Sequence, residues 1–283
     1  MDFGRDKATD LNNIDFNLPD GDDTVLPGSP DPLFKCYLGA PKYGRDEWKG
    51  NLYLSDIKDE ERLTEYSKHF NYLELNASFY KIPEPSMGAH WAEQVAENSH
   101  FKFSPKVSRP ITHLRRFKNA EDETNRFFEF CDTLADTLGP SFIQMSDASG
   151  FNNFDTVYAY LKSLPESFRV NIEMRHPSFF ETENFKRVTN SLKEQNVGLI
   201  LTDTNLRRDV LHMHLTSTCA QIRFNGNDNH PTDRIRLEQW KDRILEWREK
   251  GIKEIYFALH QPNDNSFHET VTLAKEIFND LLI

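Results

Sequence analysis

Glu74-x-Asn76 and Glu173-x-Arg175-His176 each place a carboxylate beside further polar groups in an otherwise apolar run. Lys106, Asp203, Arg223-x-Asn225 and His260 sit late in comparable runs, and Gln144 lies between Ile143 and Met145. Two carboxylates among basic groups suit acid/base work, provided their environments set their proton affinities apart. They serve equally as ion-pair partners of Lys106, Arg175 and Arg223, and both readings stay open. Lys106 can act as a Schiff-base amine or as an anion clamp. The clamp is favoured, because a neutral lysine is hard to maintain beside two carboxylates. Arg175 and Arg223 offer rigid forks for phosphate or carboxylate. His113, His176 and His260 are candidate proton carriers, with a hydrogen-bonded structural role as the alternative for each. Glu74, Glu173 and Asp203 with a histidine would also suit Mg²⁺ or Mn²⁺. The cations of the same layer would compete for those carboxylates, so no metal and no cofactor is expected.

These residues need elements that bring them together. Short apolar or β-branched runs fall at 35–39, 71–76, 101–105, 141–145, 170–174, 197–202, 219–224 and 254–259. Helical patterns lie between them at 57–69, 85–97, 121–138, 154–164, 181–194, 234–250 and 267–282, with a short one at 204–214. Leu138-Gly139-Pro140 and Lys250-Gly251 read as helix stops. Eight strands alternating with helices over some 250 residues predict a single (β/α)8 TIM barrel spanning 33–283. A doubly wound open sheet is the alternative, but Gly39-Ala40-Pro41-Lys42 is no G-x-G-x-x-G phosphate loop.

Strand side chains alternate between faces. Leu73 and Leu75 alternate with Tyr72, Glu74 and Asn76. Ile172 and Met174 alternate with Asn171, Glu173 and Arg175. Ile222 and Phe224 alternate with Gln221, Arg223 and Asn225. With the apolar set packed under helices, the barrel interior gathers Glu74, Glu173, Lys102, Lys106, Arg175 and Arg223. On the sixth strand, Asp203 is placed in the inward register after Leu199 and Leu201. A buried charge that loses its partner costs about 3–5 kcal/mol, so a merely structural core has little reason to collect seven. Either a closed salt-bridge network fills the barrel, or a polar site opens at its C-terminal mouth, where barrel enzymes place their chemistry. Late placement favours the mouth, and early Lys102 reads as structural. Phe79, Tyr80, Trp91 and Tyr43 are candidates to wall it, and His212-Met213-His214 reads as a surface feature of the weak helix.

The same residues carry a family resemblance. Leu73-Glu74-Leu75-Asn76-Ala77-Ser78-Phe79-Tyr80 resembles the E-x-N-x-x-F-Y signature of the YecE-like family. Phe101-Lys102-Phe103-Ser104-Pro105-Lys106 is similar to its F-x-F-S-x-K, followed by Ile111-Thr112-His113. Leu138-Gly139-Pro140 with Gln144, Glu173-Met174-Arg175-His176-Pro177-Ser178, Asp203 and Arg223-Phe224-Asn225-Gly226 follow in the family's order, over about residues 36–280. The resemblance implies a TIM barrel and leaves the reaction open. Phe179 stands where the family usually has Trp. Gln144 leads into Met145-Ser146-Asp147 rather than a Pro pair, Asn225 replaces a His, and His260 replaces an Asn. These departures suggest a divergent branch with retuned chemistry.

Composition narrows the function classes. The 283 residues carry 34 basic against 45 acidic groups, a net charge of −11. That field opposes non-specific binding to nucleic acid or anionic membranes. No apolar run is long enough for a transmembrane helix, and the first residues lack a basic and apolar leader. Cys36, Cys131 and Cys219 form no zinc or CxxC pattern, which fits reduced thiols and a cytoplasmic location. HExxH, P-loop and G-x-S-x-G motifs are missing. Residues 1–32 hold eight Asp, two basic residues, four Pro and three Gly, and are expected to be a solvated, poorly ordered acidic extension. The expected protein is an enzyme using acid/base chemistry on a small polar anion. Its catalytic set is Glu74, Lys106, Glu173, His176 and Asp203. Its binding set is Asn76, Tyr80, His113, Gln144, Arg175, Arg223, Asn225 and His260. A non-catalytic binder of a phosphorylated or carboxylated ligand, or a divalent-metal phosphoesterase or isomerase, are the alternatives. No sequence feature specifies an oligomeric state.

Overall fold

The computed structural model describes residues 10–283. Parallel strands alternate with helices in the order expected of an α/β barrel. The strands are β1 (Lys35–Ala40), β2 (Tyr72–Leu75), β3 (Lys102–Pro105), β4 (Ser141–Gln144), β5 (Val170–Glu173), β6 (Gly198–Leu199), β7 (Leu201–Asp203), β8 (Cys219–Asn225) and β9 (Glu254–His260). The helices are α1 (Arg62–His69), α2 (Ala77–Tyr80), α3 (Pro85–Gln94), α4 (Glu121–Asp132), α5 (Phe154–Ser163), α6 (Thr182–Glu194), α7 (Pro231–Lys250) and α8 (Phe267–Ile277).

A six-stranded sheet runs β3-β2-β1-β9-β8-β7, and a three-stranded sheet runs β4-β5-β6. The hydrogen-bonded ladder is therefore interrupted twice. Between β3 and β4 only isolated bridges remain, Phe103 with Leu138 and Lys106 with Phe142. The expected sixth strand breaks at Ile200, so that β6 pairs with β5 and β7 with β8.

The alternation divides the core as parity requires. Leu73, Leu75, Ile143, Ile172, Ile222, Phe224 and Phe257 join the large apolar cluster that packs the helices. Tyr37, Tyr72, Tyr256 and Ala258 form a second, interior cluster. Tyr37 and Tyr256 stack there with ring centres 4.7 Å apart. Above them Gln221 accepts from Asn171 (3.1 Å) and donates to the Tyr72 hydroxyl (3.1 Å). Gly39 lets β1 approach β2: a Cβ there would lie 1.9 Å from the Tyr72 carbonyl oxygen. Lys102 donates to the Asp136 carbonyl, away from the other interior charges.

Two expectations require correction. The 204–214 segment is no helix and holds only a 3-10 turn at Arg208–Val210. Its side chains do not follow a one-faced helical pattern, since Val210, Leu211, His212, Met213 and Leu215 are all buried. His212 is thus an interior residue, its Nε2 3.2 Å from the Ile200 carbonyl oxygen. The second correction concerns the acidic extension, of which residues 1–9 lie outside the described residues. Residues 10–32 pack on the barrel domain. Phe16 and Leu26 are buried, and the guanidinium groups of Arg236 and Arg208 lie 5.1 and 5.3 Å from the Phe16 ring centre. Asp22 and Asp23 pair with Lys193 and Lys250, both at 2.7 Å. Composition underestimated the segment because four apolar side chains, Phe16, Leu18, Val25 and Leu26, are spaced to reach the core. Its acidic residues meet basic groups on α6 and α7. Gly251 ends α7 with φ +96°, and a Cβ on it would lie 2.4 Å from the Ser29 carbonyl oxygen.

Candidate functional site

The C-terminal ends of β2, β3, β4, β5, β8 and β9 each project one polar side chain into the barrel, and these side chains touch. Arg223 on β8 is the hub. Its Nε and Nη2 donate to the two oxygens of Glu74 on β2, at 3.0 and 2.9 Å. Its Nη1 donates to Glu173 Oε2 on β5, at 2.7 Å. Gln144 on β4 donates to the same Glu173 oxygen (2.6 Å) and accepts from Lys106 Nζ (2.7 Å). Asn76 Nδ2 donates to Glu74 Oε1 (3.1 Å), and His260 Nε2 lies 3.3 Å from Glu74 Oε2. Arg175 Nε is 3.4 Å from Glu173 Oε1, and its Nη1 is 3.4 Å from Asp147. Eight of the residues named from the sequence therefore form one connected group: Glu74, Asn76, Lys106, Gln144, Glu173, Arg175, Arg223 and His260.

Burial makes these contacts electrostatically strong, because water is excluded from between the charges. Burial raises the Glu74 carboxyl, but the charges of Arg223 and then His260 outweigh it and hold the group well below the usual carboxylate range. Burial likewise raises Glu173, which Arg175 and Arg223 pull down to about 2. Both are carboxylates at neutral pH. Lys106 moves the other way. Burial first and Arg223 next lower it, Glu74 and Glu173 oppose, Arg175 adds, and the ammonium falls to about 8.

Asp203 requires the main correction. It faces outward, away from the mouth. Its carboxylate accepts from Arg236 Nε at 3.1 Å and Trp240 Nε1 at 2.9 Å, and also from Arg208. These contacts tie β7 to α7. The rule obeyed by the other strands, leucines under the helices, holds on β7 too. Leu201 packs outward, and Thr202 points inward to donate to Glu173 Oε1 (2.8 Å). Applying that parity to the sixth strand would have selected Thr202. Other expected members also sit apart. His176 caps the turn at Pro177–Phe179, where its Nδ1 accepts from the Ser178 amide (3.2 Å). Tyr80 is 74% exposed. Asn225 lies at the end of β8, and its carbonyl accepts two bonds from Arg236, each 3.1 Å. His113 stands at the edge, packed on the Phe79 ring with centres 5.1 Å apart. Burial, then Lys106, Arg109 and Arg175, lower its proton affinity.

Of the expected aromatic wall, Phe79 takes part: Lys106 Nζ lies 4.2 Å from its ring centre. Trp91 packs on Phe130 and Tyr43 on Tyr66 instead. Phe142, which sequence reading did not single out, lies 5.8 Å from Lys106 Nζ and 5.9 Å from the Arg223 guanidinium. Its signal was its inward parity beside Gln144. Among the described residues, no three His, Cys, Asp or Glu side chains are grouped so as to share a metal ion.

The residues that build this cluster lie within the stretch that the family comparison matches. Residues 37–280 fit the family model described as protein of unknown function DUF72. The chain belongs to the DUF72 family. It is 26% identical over 246 residues to the UPF0759 protein YecE of Escherichia coli strain K12, covering 80% of this chain and 86% of that protein. The YecE protein of Escherichia coli O157:H7 matches to the same extent. Among solved structures, a DUF72 protein from Thermotoga maritima MSB8 superposes with a TM-score of 0.66 at 18% identity, over 87% of this chain and 99% of that one. A DUF72 protein from Enterococcus faecalis V583 gives 0.65 at 18% identity, over 87% and 98%. These likenesses establish the TIM-barrel-like α/β fold of this DUF72 chain. None of its described helices is long and apolar enough to cross a membrane.

Proposed function

We propose that this DUF72 protein is an enzyme that takes a small polar anion into the barrel mouth and performs acid/base chemistry on it. One observation carries the reading. All four carboxylate oxygens of Glu74 and Glu173 are engaged by Arg223, Asn76, His260, Gln144, Thr202 and Arg175. Lys106, equally buried, reaches a neutral amide instead. A network that only filled the barrel would match its charges internally. Here three buried cations meet two buried carboxylates: Arg175 also reaches the exposed Asp147 at 3.4 Å, Asp203 is spent behind β7, and Lys106 has no carboxylate of its own in ion-pair range among the described residues. An anion arriving at the mouth supplies the missing charge.

In this reading His260 carries the proton, with Glu74 orienting it, and Lys106 faces the ligand. Glu74 and Glu173 are fixed counter-charges rather than acids, since both stay ionised. Arg175 and His113 meet the ligand. A non-catalytic binder would use the same contacts without turnover. A divalent-metal site is less well supported, because a cation coordinated by Glu74 or Glu173 would have to displace Arg223.

The test is a thermal-shift screen of phosphate, sugar phosphates, small dicarboxylates, Mg²⁺ and Mn²⁺ on wild type and Arg175→Ala. A ligand at one hundred times its Kd stabilises the fold by about 2.7 kcal/mol. Stabilisation by anions, reduced in Arg175→Ala, is the expected result. Stabilisation by Mg²⁺ or Mn²⁺ and by no anion would replace this reading with the metal-dependent one.

A further inference from the structure

Among the described residues, Lys106 is the one interior cation of the mouth that is held by a neutral acceptor. Its Nζ donates to Gln144 Oε1 at 2.7 Å and otherwise faces the rings of Phe79 and Phe142. Neighbouring carboxylates keep a lysine charged and favour a clamp. Glu74 and Glu173 are present, but Arg223 has claimed both, at 2.7–3.0 Å. The ammonium is thus buried on aromatic faces, with two guanidinium groups nearby and no carboxylate in ion-pair range among the described residues. Such surroundings favour the neutral amine, the form that attacks carbon.

We propose that Lys106 forms an imine with the carbonyl carbon of a small aldehyde or ketone that also bears a carboxylate or phosphate group. The inference rests on the anion reading above and names the substrate class of that same site. The ammonium first releases a proton to solvent; the amine lone pair then attacks the carbonyl carbon, a C–N bond forms, and the C=O π pair moves onto oxygen, which takes up the proton that the nitrogen sheds. The hydroxyl of the resulting carbinolamine takes a second proton back from solvent and leaves as water while the nitrogen lone pair closes the C=N bond. Overall, R–NH₃⁺ and O=CR₂ give R–NH⁺=CR₂ and one water, with charge conserved and no redox partner needed. The iminium then withdraws electrons from the adjoining carbon and eases loss of a proton there, which is the acid/base chemistry assigned to the mouth.

The groups facing this nitrogen are Arg223 on β8, Glu74 on β2, Glu173 and Arg175 at the end of β5, and His113 after β3. Burial first and then Arg223 lower Lys106, Glu74 and Glu173 oppose and Arg175 adds, which leaves it at about 8. An exposed lysine titrates near 10.4, so at neutral pH Lys106 has a neutral fraction on the order of 100-fold larger.

The experiment incubates the full chain separately with glyoxylate, pyruvate and dihydroxyacetone phosphate at pH 7 in sodium cyanoborohydride. Adducts are located by peptide mass spectrometry. At least one probe is expected to label residue 106 about tenfold or more above any other lysine. That label should disappear in both Lys106→Arg and Lys106→Met, each checked for a native circular dichroism spectrum. Labelling spread over exposed lysines and unchanged in Lys106→Arg, or no label at residue 106 with any probe, would overturn the imine. Phosphate and malonate, which have no aldehyde or ketone carbon, are run in parallel by thermal shift. If they stabilise the protein while residue 106 stays unlabelled, the imine fails and the anion reading stands; if neither effect appears, both fail.

Discussion

At the residue scale, Arg223 matters most, because one guanidinium bonds to two carboxylates that belong to opposite sides of the barrel. Removing one partner of a buried ion pair is costlier than never having had the pair, since the remaining charge is left unsolvated. Arg223→Ala is therefore expected to destabilise the fold by about 3–5 kcal/mol, read from urea unfolding at pH 7. Acid should reveal the cause. Glu74 and Glu173 titrate lower in the folded chain than in the unfolded one, so their stabilisation is complete above about 4.5. It is lost as pH falls from there toward 2. In Arg223→Ala the stranded carboxylates protonate more readily. The gap between wild type and variant should then shrink as pH falls from 6 to 3. A gap that stays constant would mean that Arg223 contributes packing rather than charge. Gln144 complements this hub. Its amide oxygen must face Lys106 and its nitrogen Glu173, so it separates cation from carboxylate without carrying a proton between them.

Among the elements, the segment from β6 to Leu215 departs furthest from expectation. Leu199 and Leu201 were legible as strand residues, but the inward register assigned to Asp203 was wrong. Elsewhere parity turned Glu74, Glu173, Arg223, Gln144 and Lys106 inward, because each of their strands alternates cleanly, and their late positions set the end of the barrel. The arginine and tryptophan that receive Asp203, Arg236 and Trp240, lie more than thirty positions along the chain, beyond the reach of any local pattern. His212 offers a check on this segment. Burial and then the charge of His214 lower its imidazole to about 3, against a favourable bond to the Ile200 carbonyl. A base with a depressed folded pKa binds its proton more readily when unfolded. Its contribution is therefore present above about 6.5 and lost as pH falls below that. His212→Gln keeps a donor for Ile200 but does not titrate. Between pH 7 and pH 5 it should lose about 2 kcal/mol less stability than wild type, measured as paired urea midpoints. Equal losses would show that His212 is not buried in the neutral form.

On the scale of the whole molecule, two features could not be read from local pattern: how the acidic leader is held and how the ring of strands is completed. The acidic extension reads as solvated because it combines eight aspartates with four Pro and three Gly, yet Phe16 and Leu26 reach the core. Burying each such side chain stabilises by about 1.5–3 kcal/mol. Truncation to residue 33 is therefore expected to lower Tm by about 10 °C, taking about 2–4 °C per kcal/mol for a domain of this size class. A shift of only one or two degrees in differential scanning calorimetry would return the segment to the role of a passive extension.

The two interruptions in the backbone ladder fall where the polar side chains cross. Lys106 reaches Gln144 over the gap between β3 and β4, and Thr202 reaches Glu173 over the gap between β7 and β5. Side chains thus act as rivets along two seams that main-chain pairing leaves weak. A ligand that draws Lys106 off Gln144 would unfasten one seam, and the barrel would breathe there as the site fills. The reporter is the Val107 amide, which donates to the Phe142 carbonyl across that seam at 2.8 Å. Its hydrogen exchange should quicken on ligand binding while Ile200, bonded to the Ile172 carbonyl at the other seam, stays protected. In this barrel, occupancy and cohesion would then trade against each other through a single lysine.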